Sequence, residues 1–258
     1  MLLTIITITK QDPAGLGRTL RSTGRISNDS VEHLVVTVCS EADDTSSAIR
    51  AMGSSARVIV QPTDGIAEAF SAGLASAQGE WVWFLNGGDA VHETLECGWL
   101  ISLLQHTRAE VITGALQFDG DAAPRPAPPL KYQWPLVRCW LMHPATIVRR
   151  QRLCSAGGFD ARWRVAMDFE LWQRLIRDDV AIDVISRPFA RFARAGVSER
   201  DEGRLARAEE AAVLRKYSGR IALAVGRQVL GAGRRLLQAF RLWPDGRSGR
   251  RDRRVLSE

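Results

Sequence analysis

The stretch Gly79-Glu80-Trp81-Val82-Trp83-Phe84-Leu85-Asn86-Gly87-Gly88-Asp89 reads as a strand followed by a polar turn. Five consecutive large apolar residues leave no polar face, as expected of a central strand in a parallel sheet covered by helices on both sides. The two glycines let the backbone take positive φ and approach a ligand closely. Asp89 then stands at the carboxyl end of the strand, with Asn86 nearby. A lone carboxylate there suits a hard divalent cation that keeps several waters and takes its other ligands from a diphosphate. On spacing alone, a turn aspartate capping the next helix is the simpler reading.

Working outward, Leu2 to Thr9 is apolar and β-branched almost throughout, a second buried strand. Pro13 to Arg25 is a short helix with Leu16 and Leu20 on one side, and His33 to Cys39 another strand. Asp44 to Met52 reads as a helix and Arg57 to Val60 as a short strand. Gly65 to Ala77 carries apolar residues at helical spacing, and Gly79 reads as the glycine that stops it. Glu93 to His106 is helical and Glu110 to Gly114 a strand. Strands alternating with helices over about the first 115 residues imply βαβ units and a mostly parallel sheet. Ligands in such sheets bind at the carboxyl ends of the strands, so the turns after Thr9, Cys39 and Leu85 are the places to look.

Beyond that point the character changes. Pro124 to Pro129 cannot continue a helix or a central strand, because proline lacks the amide donor. That loop leads into a Trp- and Arg-rich region, Trp134–Trp140. Gly157-Gly158-Phe159-Asp160 is a turn, Val165 to Arg177 a helix, Val180 to Ile185 a strand and Asp201 to Tyr217 a charged helix. Asp168 falls at the start of its helix, where a carboxylate complements the helix dipole. It could equally serve as a general base within reach of a hydroxyl. Glu170, two residues on, points elsewhere. His143 lies before an apolar strand-like piece and reads locally as a structural donor.

The chain has 258 residues, 45% of them hydrophobic and 25% charged, which is ordinary for a globular protein. Its length fits one mixed domain with an appendage. The net charge of +6 is uneven: from Asp201 onward 14 Lys and Arg face 7 Asp and Glu, while the first 200 residues hold 21 basic and 22 acidic groups. A neutral body with a basic tail argues against nucleic acid as a partner and suits an anionic membrane surface. Within that tail Arg220, Arg227, Arg234 and Arg241 recur every seven residues, as do Leu223, Leu230 and Leu237. That is the pattern of an interfacial amphipathic helix over 220–243, or of a helix packed on the body. Cys39, Cys97, Cys139 and Cys154 form no C-x-x-C pair, so buried thiols in a reducing cytoplasm are expected rather than a zinc site. The N-terminus lacks the features of a signal peptide, and no apolar run reaches the roughly 18–20 residues that span a bilayer. No P-loop, nucleophile elbow or H-E-x-x-H pair is present. Gly15-Leu16-Gly17-Arg18-Thr19-Leu20 lacks the third glycine of a dinucleotide fingerprint.

Taken in order, these segments resemble the family 2 glycosyltransferases of the GT-A fold. The opening strand with Thr7-Ile8-Thr9-Lys10 resembles that family's first nucleotide-binding turn. Gln61-Pro62-Thr63-Asp64-Gly65-Ile66-Ala67-Glu68-Ala69-Phe70-Ser71-Ala72-Gly73 resembles its P-D-x-G-I-Y-D-A-M-N-K-G segment, and Gly79 to Asp89 its G-E-x-x-x-F-L-N-x-x-D stretch. His143-Pro144-Ala145-Thr146, Gly157-Gly158-Phe159-Asp160, Ala166-Met167-Asp168-Phe169-Glu170 and Gly196-Val197-Ser198 follow in the order of the acceptor half. With the Val111-Ile112-Thr113-Gly114 strand, the resemblance is nearest to colanic acid and exopolysaccharide biosynthesis transferases.

The resemblance implies an α/β GT-A fold, Rossmann-like, with a mostly parallel central sheet flanked by helices and a C-terminal helical extension. Residues 1–115 would be the nucleotide-sugar-binding half, 116–198 the acceptor-binding and catalytic half of the same domain, and 199–258 basic amphipathic helices and tail. It further implies an inverting, metal-dependent transferase acting on a lipid-linked or polysaccharide acceptor at the cytoplasmic face of the plasma membrane. The donor would be a UDP-, GDP- or dTDP-linked sugar, and the cofactor Mn2+ or Mg2+. Asp89 would hold the metal and Asp168 act as base. Thr7, Thr9, Thr37, Asp64, Gly65, Asn86 and Gly88 would line the donor, with His143 and Glu170 on the acceptor side. A degenerate member that binds nucleotide or a partner without catalysis is the alternative, motivated by Thr37 standing where the family often has an aspartate.

Overall fold

The β-branched opening forms strand β1, Leu3–Ile8, hydrogen-bonded on one side to β2, Val31–Thr37, and on the other to β4, Trp81–Asn86. Both pairings are parallel, as is that of β2 with β3, Arg57–Val60. The computed structural model of the chain describes residues 1–127, 141–193 and 203–217. Among them the sheet has eight strands in the order β3-β2-β1-β4-β7-β6-β8-β5. β5 is the two-residue strand Ala90–Val91, β6 spans Val111–Phe118, β7 Thr146–Arg149 and β8 Ile182–Phe192. β7 runs antiparallel to both β4 and β6, β8 runs parallel to β6, and β5 closes the far edge antiparallel to β8.

The two faces of the central strands bury against different helices, as alternating side chains require. Ile6, Val82 and Phe84 meet Phe70 and Leu74 of α3, Ile66–Ser76, and Leu171, Trp172 and Leu175 of α6, Met167–Arg177. Trp81, Trp83 and Leu85 face the other way, toward Leu100 and Leu104 of α4, Cys97–His106. On that same side α1, Pro13–Gly24, and α2, Ala42–Ala51, bury Leu16, Leu20 and Ile49 against Val35. Two of the buried indoles find acceptors: Trp81 Nε1 donates to the Leu104 carbonyl at 3.1 Å and Trp83 Nε1 to that of Pro144 at 2.8 Å, whereas Trp172 Nε1 meets no acceptor among the described residues. Helix α1 begins where Asp12 accepts from the Gly15 amide and Pro13 takes the first helical position. A short helix α5, Arg150–Ser155, and a helix over 203–217, here α7, complete the elements. Residues Met1–Lys216 form one compact unit, and Tyr217–Glu258 are assigned to a second.

Several expectations from the sequence change. Helix α3 ends at Ser76 with Ala77 extended, so Gly79 does not cap it. Gly79 instead lets β4 enter beside β1, where a Cβ would meet backbone atoms of Leu3 and Thr4. Nor does Gly114 end its strand. It sits against the Phe189 ring, within register shifts that let β6 run on to Phe118. Pro188 is tolerated in β8 at that same irregularity, which lengthens β8 well past Ile185. The α4 helix starts at Cys97 rather than Glu93, since His92 and Thr94 bond within a local turn. Cys39 and Cys154 are exposed thiols rather than buried ones. Within the proline loop, Arg125 exchanges two backbone hydrogen bonds with Leu116. Residues Trp134–Trp140, Gly196–Ser198 and 220–243 lie outside the described residues.

Candidate active site

Phe84 points to the α3 and α6 side, so Asn86, two residues on, emerges at the carboxyl edge on that same side. There its Nδ2 lies 3.1 Å from Nε2 of His143, which a 3-10 turn, His143–Ala145, places just before β7. An amide nitrogen only donates, so Nε2 is the acceptor and the imidazole proton sits on Nδ1. Nδ1 donates it to Oδ2 of Asp168, 3.2 Å away in the first turn of α6. The other Asp168 oxygen accepts the amide of Phe169 at 2.6 Å. Asn86, His143 and Asp168 therefore form one hydrogen-bonded line joining the end of β4 to the start of α6. Beneath it Phe70, Phe84 and Phe159 pack largely edge to face in a buried cluster, with Phe70 edge-on to His143 at a centroid distance of 5.9 Å.

Asp89 lies on the neighbouring side of the same turn and is only 1% exposed. Its Oδ2 accepts the Asn86 amide and its Oδ1 the Ala193 amide, each at 3.1 Å. Burial pushes its carboxyl up to about 6, against the opposing pull of His143, the two amides and Arg18. Gly88, at φ 99°, carries the turn, and its amide donates to Thr19 Oγ1, which itself donates to the Asp89 carbonyl at 2.6 Å. Thr19 thus fixes the turn from α1, a role nothing in its helical neighbourhood announces.

A cation that takes most of its ligands from a diphosphate could be held here by Asp89 and Asn86. Each Asp89 oxygen keeps a lone pair beyond its amide bond. Asn86 Oδ1, buried, meets no donor among the described residues. Among those residues no cluster of three or more His, Cys, Asp or Glu is arranged to hold a metal by itself.

The remaining candidates divide. Thr9 lies beside Gly87, and Gly65, at φ 145°, opens α3 at the same edge. Asp64 is exposed and paired with Lys10, across the ends of β1 and β3, which holds its carboxyl below the usual range. Thr7 is buried and turned to His33 at 2.9 Å, and Thr37 is buried beside Thr45, so neither side chain lines the edge. Glu170 is fully buried between Arg174 Nε, at 2.8 Å, and Lys216 Nζ, at 2.6 Å, away from His143. Glu209 of α7, one of several charged residues on that helix and in no recognisable motif, accepts three amides just ahead of α6.

This mixed α/β domain gathers its polar residues at the carboxyl edge of a central strand, where open sheets of this kind bind their ligands. The glycosyl transferase family 2 profile matches residues 4–175, and the chain belongs to that family. Its curled sheet flanked by helices is that of GT-A proteins. A comparison with curated protein sequences gave no match. Among solved structures, S. aureus TarS 1–349 in complex with UDP is similar with a TM-score of 0.60 and 16% identity, over 75% of this chain and 60% of that one. Mannosyltransferase PcManGT from Pyrobaculum calidifontis, in complex with GDP-Man and Mn2+, gives a TM-score of 0.58 and 18% identity, over 84% and 64%. TarS 1–349 in complex with UDP-GlcNAc gives 0.57 and 15%, over 75% and 59%. The chain thus spans less than two thirds of each of these structures, and at such identities the likeness establishes the fold.

Proposed function

We propose that this chain is an inverting glycosyltransferase that moves a sugar from a UDP-, GDP- or dTDP-linked donor to a lipid-linked or polysaccharide acceptor, as in exopolysaccharide synthesis. The observation that carries the reading is the line Asn86–His143–Asp168, which presents an oriented carboxylate beside the turn that holds Asp89. Nucleotides bound to GT-A proteins of low identity support the donor class.

Asn86 fixes the tautomer of His143, and His143 in turn aims the Asp168 carboxylate. The free lone pairs of Asp168 accept the proton of the acceptor hydroxyl as its oxygen bonds to the anomeric carbon. The bond from that carbon to the diphosphate breaks with its electron pair, leaving the nucleoside diphosphate. Attack opposite the leaving group inverts the centre. The aromatic floor excludes water and strengthens these interactions. Asp89 and Asn86 Oδ1 would hold Mn2+ or Mg2+, which neutralises charge on the departing diphosphate. Thr9, Asp64, Gly65 and Gly88 line the edge along which the nucleotide lies.

Nucleoside diphosphate release from a panel of UDP-, GDP- and dTDP-sugars, with and without Mn2+, tests this. Asp168→Asn is expected to lower turnover about 10²–10⁴-fold, and Asp89→Ala to abolish the Mn2+ dependence of donor affinity. Unchanged transfer in both variants at saturating donor would reject these roles. A second reading, a degenerate protein that binds nucleotide or a partner without catalysis, draws on Asp89 having both oxygens already bonded to amides. It predicts donor binding without release.

The basic segment 220–243 supports a peripheral site at the inner membrane face. Among the described residues no helix is long and apolar enough to cross a membrane. Deleting 220–258 should release the protein from anionic vesicles, and undiminished binding would refute the attachment.

A further inference from the structure

Helix α6 opens at Ala166, whose methyl group cannot cap it. The carboxylate of Glu209 binds the turn just ahead of it instead: it accepts the amides of Arg164, Val165 and Ala166 at 3.0, 2.9 and 2.9 Å. Successive N–H groups converging on one point form an anion-binding concavity, and bonds to a charged acceptor are roughly twice as strong as neutral ones. Here a side chain from α7 fills it. The exchange is reciprocal, because Glu170 of α6 pairs with Lys216 of α7, whose ammonium also lies 5.7 Å from the Trp163 ring centroid. Between the two contacts Val213 is fully buried. Glu209, Val213 and Lys216 share one side of α7, so the helix grips the turn before α6 and α6 itself at two points about 10 Å apart.

We propose that Glu209 is a positioning residue for catalysis: by filling the nest at 164–166 it sets the turn from which Asp168, two residues later, reaches His143. The inference rests on the reading of Asp168 as the base. Its consequence is that α7 belongs to the catalytic apparatus, although it follows the motif-bearing part of the chain. A base must lie within hydrogen-bond reach of the hydroxyl it serves, and a displacement near 1 Å can cost about 100-fold in rate.

The test is E209Q, which keeps the shape but turns an amide NH2 or a weaker acceptor toward three donors, with E210Q at the exposed neighbour as control. Hydrogen exchange of peptides covering 160–170 is measured together with kcat and donor KM, using whichever sugar nucleotide of the panel turns over. In E209Q, exchange at 164–168 is expected to rise about tenfold while that of the β1 and β4 peptides is unchanged. The kcat should fall about 10–100-fold with donor KM within about twofold, and E210Q should match the parent. E209A should regain part of its kcat in formate, because the emptied nest accepts a small anion. Parent-like exchange and kcat in E209Q would overturn the proposal. So would a loss of kcat that tracks the unfolded fraction and is not restored by formate. Should Asp168→Asn leave transfer unchanged, the base itself is misassigned and both readings fall. A dead Asp168→Asn beside an unaffected E209Q removes Glu209 alone.

Discussion

Replacing Gly79 by alanine would put a methyl carbon 2.5 Å from the backbone nitrogen of Thr4 and 2.7 Å from the carbonyl carbon of Leu3. Ordinary contact for such atoms is about 3.5–4 Å, so β1 and the entry to β4 must part by about 1 Å. Neither atom belongs to a flexible side chain. Thr4 is held in register on both sides, opposite Glu32 and Val82. The shift would also strain the bond from the Gly79 amide to Thr4 Oγ1, 2.8 Å and buried. Overpacking of this kind costs about 1–3 kcal/mol and a weakened buried hydrogen bond about 1 kcal/mol. At roughly 2–4 °C per kcal/mol for a domain of this size, Gly79→Ala should lower the thermal midpoint by roughly 4–16 °C. Circular dichroism melts at 222 nm measure it, with Gly98→Ala, on an open face of α4, as the control that should not fall. A Gly79→Ala midpoint within about 1 °C of the parent would show that β4 does not need this close approach.

Two further outcomes are expected. His143→Ala leaves Asp168 without the proton that orients it, so turnover should fall about 10–100-fold while donor KM holds; equal losses in both would mean His143 acts in donor binding instead. His33 is held neutral by burial, its ring bonded to Thr7 and Thr23 beside a cavity of about 330 Å3, and its value is pushed down to about 4 from an ordinary 6.5. The unfolded chain takes up a proton below pH 6.5 that the folded chain refuses until about 4, so stability present above that window is lost as pH falls through it. At pH 5 the loss is about 1–2 kcal/mol, the lower figure allowing for water that reaches the ring through the cavity. Urea melts at pH 7 and pH 5 should show His33→Gln losing less than the parent, and equal losses would refute the assignment.

The central strands could be read from sequence because a strand covered on both faces leaves an unbroken apolar run, as Trp81 to Leu85 does. Strand β5 and helix α5 are too short to leave a periodic pattern, and tertiary contacts create them, whereas β7 shows as the apolar piece after His143. Gly79 and Gly114 were open to misreading for a definite reason: glycine ends elements and also admits close neighbours, and only the fold decides which. Asn86, His143 and Asp168 each lie in a recognisable segment. Their contact spans 57 and 25 residues of chain, which no local spacing encodes. Glu170 and Glu209 both look like solvated helix residues, yet both are buried, because each meets partners 40 or more residues away, Lys216 for the one and the turn before α6 for the other.

The strand order carries a geometric constraint. β4 and β5 are separated by four strand positions but joined by only Gly87, Gly88 and Asp89. In a flat sheet four spacings come to about 19 Å, while the four steps from Asn86 to Ala90 reach at most about 14 Å. The far edge must therefore swing round toward β4, like a hoop drawn shut by a short clasp. Asp89 is the rivet of that clasp, since its carboxylate also grips the Ala193 amide just past the end of β8. Lengthening the clasp by even two residues would free the hoop to open, and the turn that carries Asn86 and Asp89 would lose its anchor.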